Sequence, residues 1–145
     1  MDESGDWVAK SAIAELVTRY AALNDAGDWE AVAALYTEDG RMSRPAAPDV
    51  FITGRSAILE SFNARPPRVA RHIVANVLVT LKGHGRASAT SQILLFTGSP
   101  SAYGGPPVLS VSAPLVGTYR DQLIVTAQGW RFVERRGSLD FSVPN

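Results

Sequence analysis

The hydrophobic period of this chain changes once, from helical spacing near the N-terminus to strand-like alternation from Val69 onward. Before the change, Ile13, Leu16, Val17, Tyr20 and Leu23 recur from Trp7 at three- and four-residue intervals, and the pattern stops near Gly27, after Asn24 and Asp25. This predicts one long amphipathic helix. Asp28 can cap a second, short helix whose apolar members are Val32, Leu35 and Tyr36, ended by the turn-like Glu38, Asp39 and Gly40. Arg41 to Pro45 reads as a brief extended piece, Pro45 to Asp49 as a loop, and Arg55 to Asn63 as a third helix opened by Gly54. After the change, Val69–Leu81, Ala87–Phe96, Val108–Val125 and Trp130–Phe141 are rich in β-branched and aromatic residues, which predicts four long strands. A turn over Lys82–Arg86 joins the first two, and a Gly- and Pro-rich loop, Gly98–Pro107, joins the second to the third.

Helices first and strands afterwards argue against alternating βαβ units. They specify an α+β fold in which a curled antiparallel sheet wraps over helices and leaves a hollow concave face. A chain of 145 residues fits a single domain, 1–145, that stands on its own core. Fourteen Lys and Arg balance fourteen Asp and Glu without a long block of one sign, so neither nucleic acid nor a membrane surface is an expected partner. The acidic stretch Met1 to Trp7, and the lack of an apolar run near the roughly 20 residues of a membrane span, point to a cytoplasmic protein. The absence of cysteine removes disulfides, thiolate nucleophiles and Cys-containing zinc sites. With no phosphate-binding loop, nucleophile elbow or His-x-x-x-His pair, no cofactor and no metal is expected.

Whatever chemistry exists must use ordinary side chains. Of the two histidines, His84 sits between glycines in a hairpin turn, where solvent is its neighbour. His72 lies near the start of the first long strand, with Val74, Asn76 and Leu78 on its face and Ile73, Ala75, Val77 and Val79 on the other. A lone histidine reads as readily as a half-buried structural residue as it does as a base. Asp25 is the obvious partner, yet Ile13, Val17, Tyr20 and Asn24 point inward more directly, so periodicity alone leaves Asp25 solvated at a helix end. Tyr20, Trp29 and Trp130 read as core.

The segment Ala12 to Gly40, A-I-A-E-L-V-T-R-Y-A-A-L-N-D-A-G-D-W-E-A-V-A-A-L-Y-T-E-D-G, resembles the opening helices of the nuclear transport factor 2-like superfamily. Within it the chain is similar to the SnoaL-like group that includes scytalone dehydratase and the hexachlorocyclohexane dehydrochlorinase, and the likeness continues through Phe51–Asn76 and Gly117–Arg136. The resemblance implies a cone-shaped α+β barrel, with three N-terminal helices packed in a curved mixed or antiparallel sheet. In those two lyases the carboxylate of the catalytic dyad stands just before the helix–helix turn, the place of Asp25 in N-D-A-G-D-W. The second member is a histidine that begins a long strand, matched by His72 in R-H-I-V-A-N, and the spacing to Asn76 is similar to that of the dehydrochlorinase. Asp25 and His72 are thereby implied as the catalytic pair.

Three further positions enter as substrate-binding. In similar ketosteroid isomerases the tyrosine of the R-Y pair donates to an oxyanion, the place of Tyr20 here. Arg44, in M-S-R-P, stands where those isomerases keep a catalytic aspartate and scytalone dehydratase a water-positioning tyrosine. A planar guanidinium facing a pocket would suit an anionic or carbonyl oxygen. Gly117-Thr118-Tyr119-Arg120-Asp121 resembles the G-x-Y-x-D stretch of SnoaL-like strands, from which Tyr119 can reach the cavity, and Gly129-Trp130-Arg131-Phe132 resembles the start of their last strand.

These readings lead to a cofactor-independent acid–base lyase or isomerase, of dehydratase, dehydrohalogenase or cyclase type, acting on a small, largely apolar, cyclic substrate. The Asp-Arg-Asp arrangement of limonene epoxide hydrolases is not evident. Competing readings are a non-catalytic ligand-binding or protein-association module, and an accessory subunit like those of ring-hydroxylating dioxygenases, which requires an exposed apolar patch. A homo-oligomer, most simply a dimer paired through the outer sheet surface, is expected.

Overall fold

A computed structural model describes residues 2–110 and 114–142. Helix α1 (Glu3–Ala26) begins earlier than its apolar stripe because Asp2 caps it, accepting a hydrogen bond from the Gly5 N–H at 3.1 Å. Gly27 closes it at φ 70°, a left-handed conformation that glycine adopts without steric penalty. Asp28 then caps α2 (Trp29–Ala33) through the Ala31 N–H at 3.2 Å.

Helix α2 is shorter than expected. Tyr36 and the turn-like Glu38–Gly40 belong instead to strand β1 (Tyr36–Arg44). The stretch Pro45–Asp49 is likewise not a loop: Ala47–Thr53 forms β2, and only Pro45 and Ala46 turn between Arg44 and its partner Ala47. Pairing of β1 with neighbours on both sides overrides local turn preference. Pro48 is tolerated because β2 is an edge strand. Helix α3 (Arg55–Asn63) occupies its predicted span.

Strands β3 (Val69–Gly83) and β4 (Arg86–Ser99) form the expected hairpin, with His84 exposed at its turn. The third expected strand divides. Val108–Leu109 is a short β5 paired with the end of β4, and β6 (Leu115–Thr126) begins after residues 111–113, which lie outside the described residues. Strand β7 (Gly129–Leu139) completes a sheet of order β2-β1-β7-β6-β4-β3, antiparallel throughout except for the parallel pair β1 and β7. The fold is α+β with a curled mixed sheet around the N-terminal helices.

The sheet curls because its inward residues on β4 are small (Ala87, Ala89 and Ser91) and because bulges bend β1, β3 and β7. Into the concave face pack Ile13, Leu16, Val17 and Tyr20 of α1, with Ile58 and Phe62 of α3 behind Val32 and Leu35. The β1–β2 turn crosses β7 so closely that a Cβ on Gly137 would lie 2.7 Å from the Pro45 backbone nitrogen. Gly137→Ala should therefore destabilise the domain by about 1–3 kcal/mol, read as a lower urea midpoint with unchanged slope.

Candidate active site

Asp25 stands in the last turn of α1, directly before Gly27 ends the helix, and its carboxylate turns toward the first residues of β3. A carboxylate there is unfavourable for the helix, because it meets the negative end of the macrodipole, and no basic residue accompanies it. The compensation comes from His72. Its backbone N–H donates to Asp25 Oδ2 at 2.9 Å and its ring Nδ1 lies 2.5 Å from Asp25 Oδ1. One carboxylate thus grips both the main chain and the imidazole of the same residue. With Asp25 ionised, Nδ1 carries the proton and Nε2 keeps its lone pair free. The Asp25 and His72 side chains are 12% and 8% exposed, whereas Arg71, 3.8 Å from Asp25 Oδ2, is mostly in solvent.

Burial lowers the His72 pKa from its usual 6.5, the bond to Asp25 opposes that, and the positive charges of Arg68 and Arg65 add to the lowering. The net direction is downward, so the imidazole is neutral and basic at neutral pH.

Two bulges decide which side chains share this interior. On β3 the register slips between Ala75 and Leu78, with Asn76 at φ 53°. His72 and Val74 face the helices before the slip; Val77, Val79 and Leu81 face them after it. The expected grouping of Asn76 and Leu78 with His72 is therefore corrected. Leu78 is exposed, and Asn76 donates outside the dyad, to Gln92 at 2.5 Å. On β7, Val133 is the extra residue between the pairs Leu123–Phe132 and Gln122–Glu134. Phe132 is inward, and after the slip Arg135 rather than Arg136 is inward.

Arg135 is the largest fully buried side chain, and simple alternation would have placed it outside. Its Nε donates to Asp121 Oδ1 at 3.0 Å. Its guanidinium carbon lies 3.9, 4.4 and 4.7 Å from the ring centres of Tyr119, Tyr20 and Phe132. Burial raises the Asp121 carboxyl to about 6, so it is ionised and paired at neutral pH. Gly117, Tyr119 and Asp121 share the inward face of β6, which gives the G-x-Y-x-D stretch its structural meaning. The Tyr36 hydroxyl donates to the Tyr20 hydroxyl at 3.1 Å, leaving the Tyr20 proton free for another acceptor. Burial pushes Tyr20 up to about 12 and raises Tyr36 and Tyr119 as well, so all three are neutral donors.

Arg44 is half-buried at the end of β1. Its Nη2 donates to the Ser61 carbonyl at 3.1 Å and to Ser61 Oγ at 3.3 Å, while its buried Nε has no partner. Arg65, just past α3, has its guanidinium carbon 4.9 Å from the Phe62 ring centre, and its buried Nη1 also lacks a partner. Arg65, Arg68, Asn24 and Asp25 line a cavity of about 400 Å³ between the α1–α2 turn and the segment leading into β3.

The sequence-derived residues thus fall into two groups. Asp25 and His72 are in direct contact; Tyr20 and Tyr119 meet edge to face at 6.4 Å over Arg135. No hydrogen bond joins the groups among the described residues, and Arg65 and Arg68 electrostatically influence both His72 and Tyr119. Tyr36, Arg65, Asp121 and Arg135 escaped sequence reasoning as site residues. Only Asp121 carried a signal, its placement two residues after Tyr119 on one strand face. No group of three or more His, Asp or Glu suited to a metal occurs among the described residues, and none of their helices is long and apolar enough to cross a membrane.

A family model described as a SnoaL-like domain matches residues 8–136. Among solved structures, an NTF2-like protein with a cystatin-like fold from Novosphingobium aromaticivorans is 26% identical, with a TM-score of 0.76 over 94% of this chain and 85% of that one. A Mycobacterium tuberculosis protein of unknown function is also 26% identical, with a TM-score of 0.78 over 96% and 76%. A protein provisionally named scytalone dehydratase from N. aromaticivorans shares the fold at 22% identity, with a TM-score of 0.76 over 94% and 87%. No curated protein matches the sequence.

Proposed function

This chain belongs to the SnoaL-like domain family within the nuclear transport factor 2-like superfamily, and on that premise we propose that it is a cofactor-independent lyase or isomerase working through Asp25 and His72. The observation that carries the reading is the double grip of the Asp25 carboxylate on the His72 main chain and ring. The main-chain bond holds the carboxylate against β3, and the ring bond sets the imidazole orientation and tautomer, which is what a positioned base requires.

In the proposed reaction, His72 Nε2 removes a proton from a carbon beside a carbonyl. The C–H electrons enter a new C=C bond as a β-hydroxyl leaves with its own bonding pair, and the imidazolium proton goes to that hydroxyl to form water. Charge developing on the carbonyl oxygen would be met by Tyr20 and Tyr119, which burial keeps protonated. Returning the proton to a different carbon would instead give an isomerase. Asp25 stabilises the imidazolium without itself taking the proton.

The test is hydrogen–deuterium exchange at the carbon beside the carbonyl of a cyclic ketone in D₂O, followed across pH. Because burial depresses His72, exchange should be flat above pH 6.5 and fall tenfold per unit only below the depressed value. Exchange no faster than buffer at every pH would count against the reading. The same shift has a stability sign. In the interval below 6.5 the unfolded chain holds a proton on this histidine that the native chain does not, so stability should rise with pH across that interval.

A further inference from the structure

Four arginines at or near the surface have a carboxylate within reach: Arg19 pairs with Glu15, Arg41 with Glu134, Arg71 with Asp25, and Arg136 with Asp49. Arg44 and Arg65 form no ion pair among the described residues, although both are half-buried and both guanidinium carbons lie within 6.0 Å of the centre of the same buried ring, Phe62. Each also keeps one buried N–H-bearing nitrogen without a partner, Nε of Arg44 and Nη1 of Arg65. Neighbouring positive charges and donors with no acceptor are an unfavourable arrangement for a protein alone. An anion supplied from outside would correct both defects.

We propose that Arg65 and Arg44 form an anion subsite around Phe62 that takes a carboxylate carried by the cyclic substrate. Two forks of N–H donors suit the planar, bidentate geometry of a carboxylate. The position fits the reaction: Arg65 lines the same cavity as Asp25. Burial, with smaller contributions from the charges of Arg44 and Arg68, brings Arg65 down to about 10. The substrate then becomes a cyclic oxo or hydroxy acid rather than a wholly apolar molecule. This rests on the reading of Asp25 and His72 only in assigning the bound anion to a substrate.

Benzoate and its neutral isostere benzamide are the probes, titrated into the intact protein and followed by calorimetry and by the arginine side-chain nitrogen resonances. Benzoate should bind at least tenfold more tightly than benzamide and should shift resonances of Arg65 and Arg44. Arg65→Gln and Arg44→Gln should each abolish most of that preference, and Arg65→Lys, which keeps charge but loses the fork, should retain part of it. Asp25→Asn should keep the preference. Equal affinity for the two probes, no measurable benzoate binding, or an undiminished preference in Arg65→Gln would each overturn the subsite. Wild-type resonance shifts answer the question even if a variant does not fold. None of these readouts depends on turnover, so loss of the elimination reading would leave a positive result intact.

Discussion

His72→Ala should lower turnover of an elimination or proton-exchange substrate by roughly 10² to 10⁴ fold while leaving the fold in place. The ring contributes one bond at a partly solvated edge of the core, so its loss removes the base without opening the hydrophobic cluster. Asp25→Asn should fall in the same range for a different reason. A carboxamide can present its NH₂ to Nδ1, which would select the tautomer with its proton on Nε2, where the lone pair is needed. Because the acidic charge at the end of α1 opposes the helix dipole, that substitution should also be mild for the helix, worth about 0.3–1 kcal/mol in its favour. Stopped activity in a variant that melts like the parent would separate chemistry from folding. If both variants turn over at the parental rate, the dyad has no catalytic part; a parent protein without any turnover is the outcome that favours the binding-module reading.

The second large effect concerns Arg135 and Asp121. Asp121→Leu should destabilise the protein by about 3–5 kcal/mol, because it leaves a guanidinium buried among three aromatic rings with no counter-charge. For a domain of this size that corresponds to a fall in Tm of roughly 10 °C or more. The double substitution Asp121→Leu with Arg135→Met should recover most of the loss, since an apolar pair of similar volume often equals or betters a buried ion pair. The recovered protein should still differ from the parent in activity: the cation beneath Tyr20 and Tyr119 lowers the pKa of both rings, against the larger effect of burial. Thermal melts of the three variants measure the stability part. A single variant as stable as the parent would show that the pair contributes nothing.

Much of the fold was legible because periodicity reports burial on one face. The stripe through Ile13, Val17 and Tyr20, the span of α3, and the hairpin at His84 all follow from local pattern. β1 and β2 did not, because Glu38–Gly40 and Pro45–Asp49 carry turn residues and only their sheet partners make them strands. For the site, the residue types and their places in motifs pointed to Asp25, His72, Tyr20, Arg44 and Tyr119, whereas their mutual geometry could not be read from spacing.

What the sequence determined by itself is the inward stripe of α1, the span of α3, the β3–β4 hairpin and the absence of cysteine chemistry, all local properties of neighbouring residues. What the tertiary structure decided is which side chains meet. Asp25 lies off the inward stripe, yet it is held by His72, a contact 47 residues away along the chain. One extra residue on β3 moves Asn76 and Leu78 out, and one on β7 turns Arg135 in and Arg136 out. Strand alternation has a period of two, so a single bulge reverses every assignment beyond it. A bulge is set by the pairing of distant strands, which alternation along a single strand does not report.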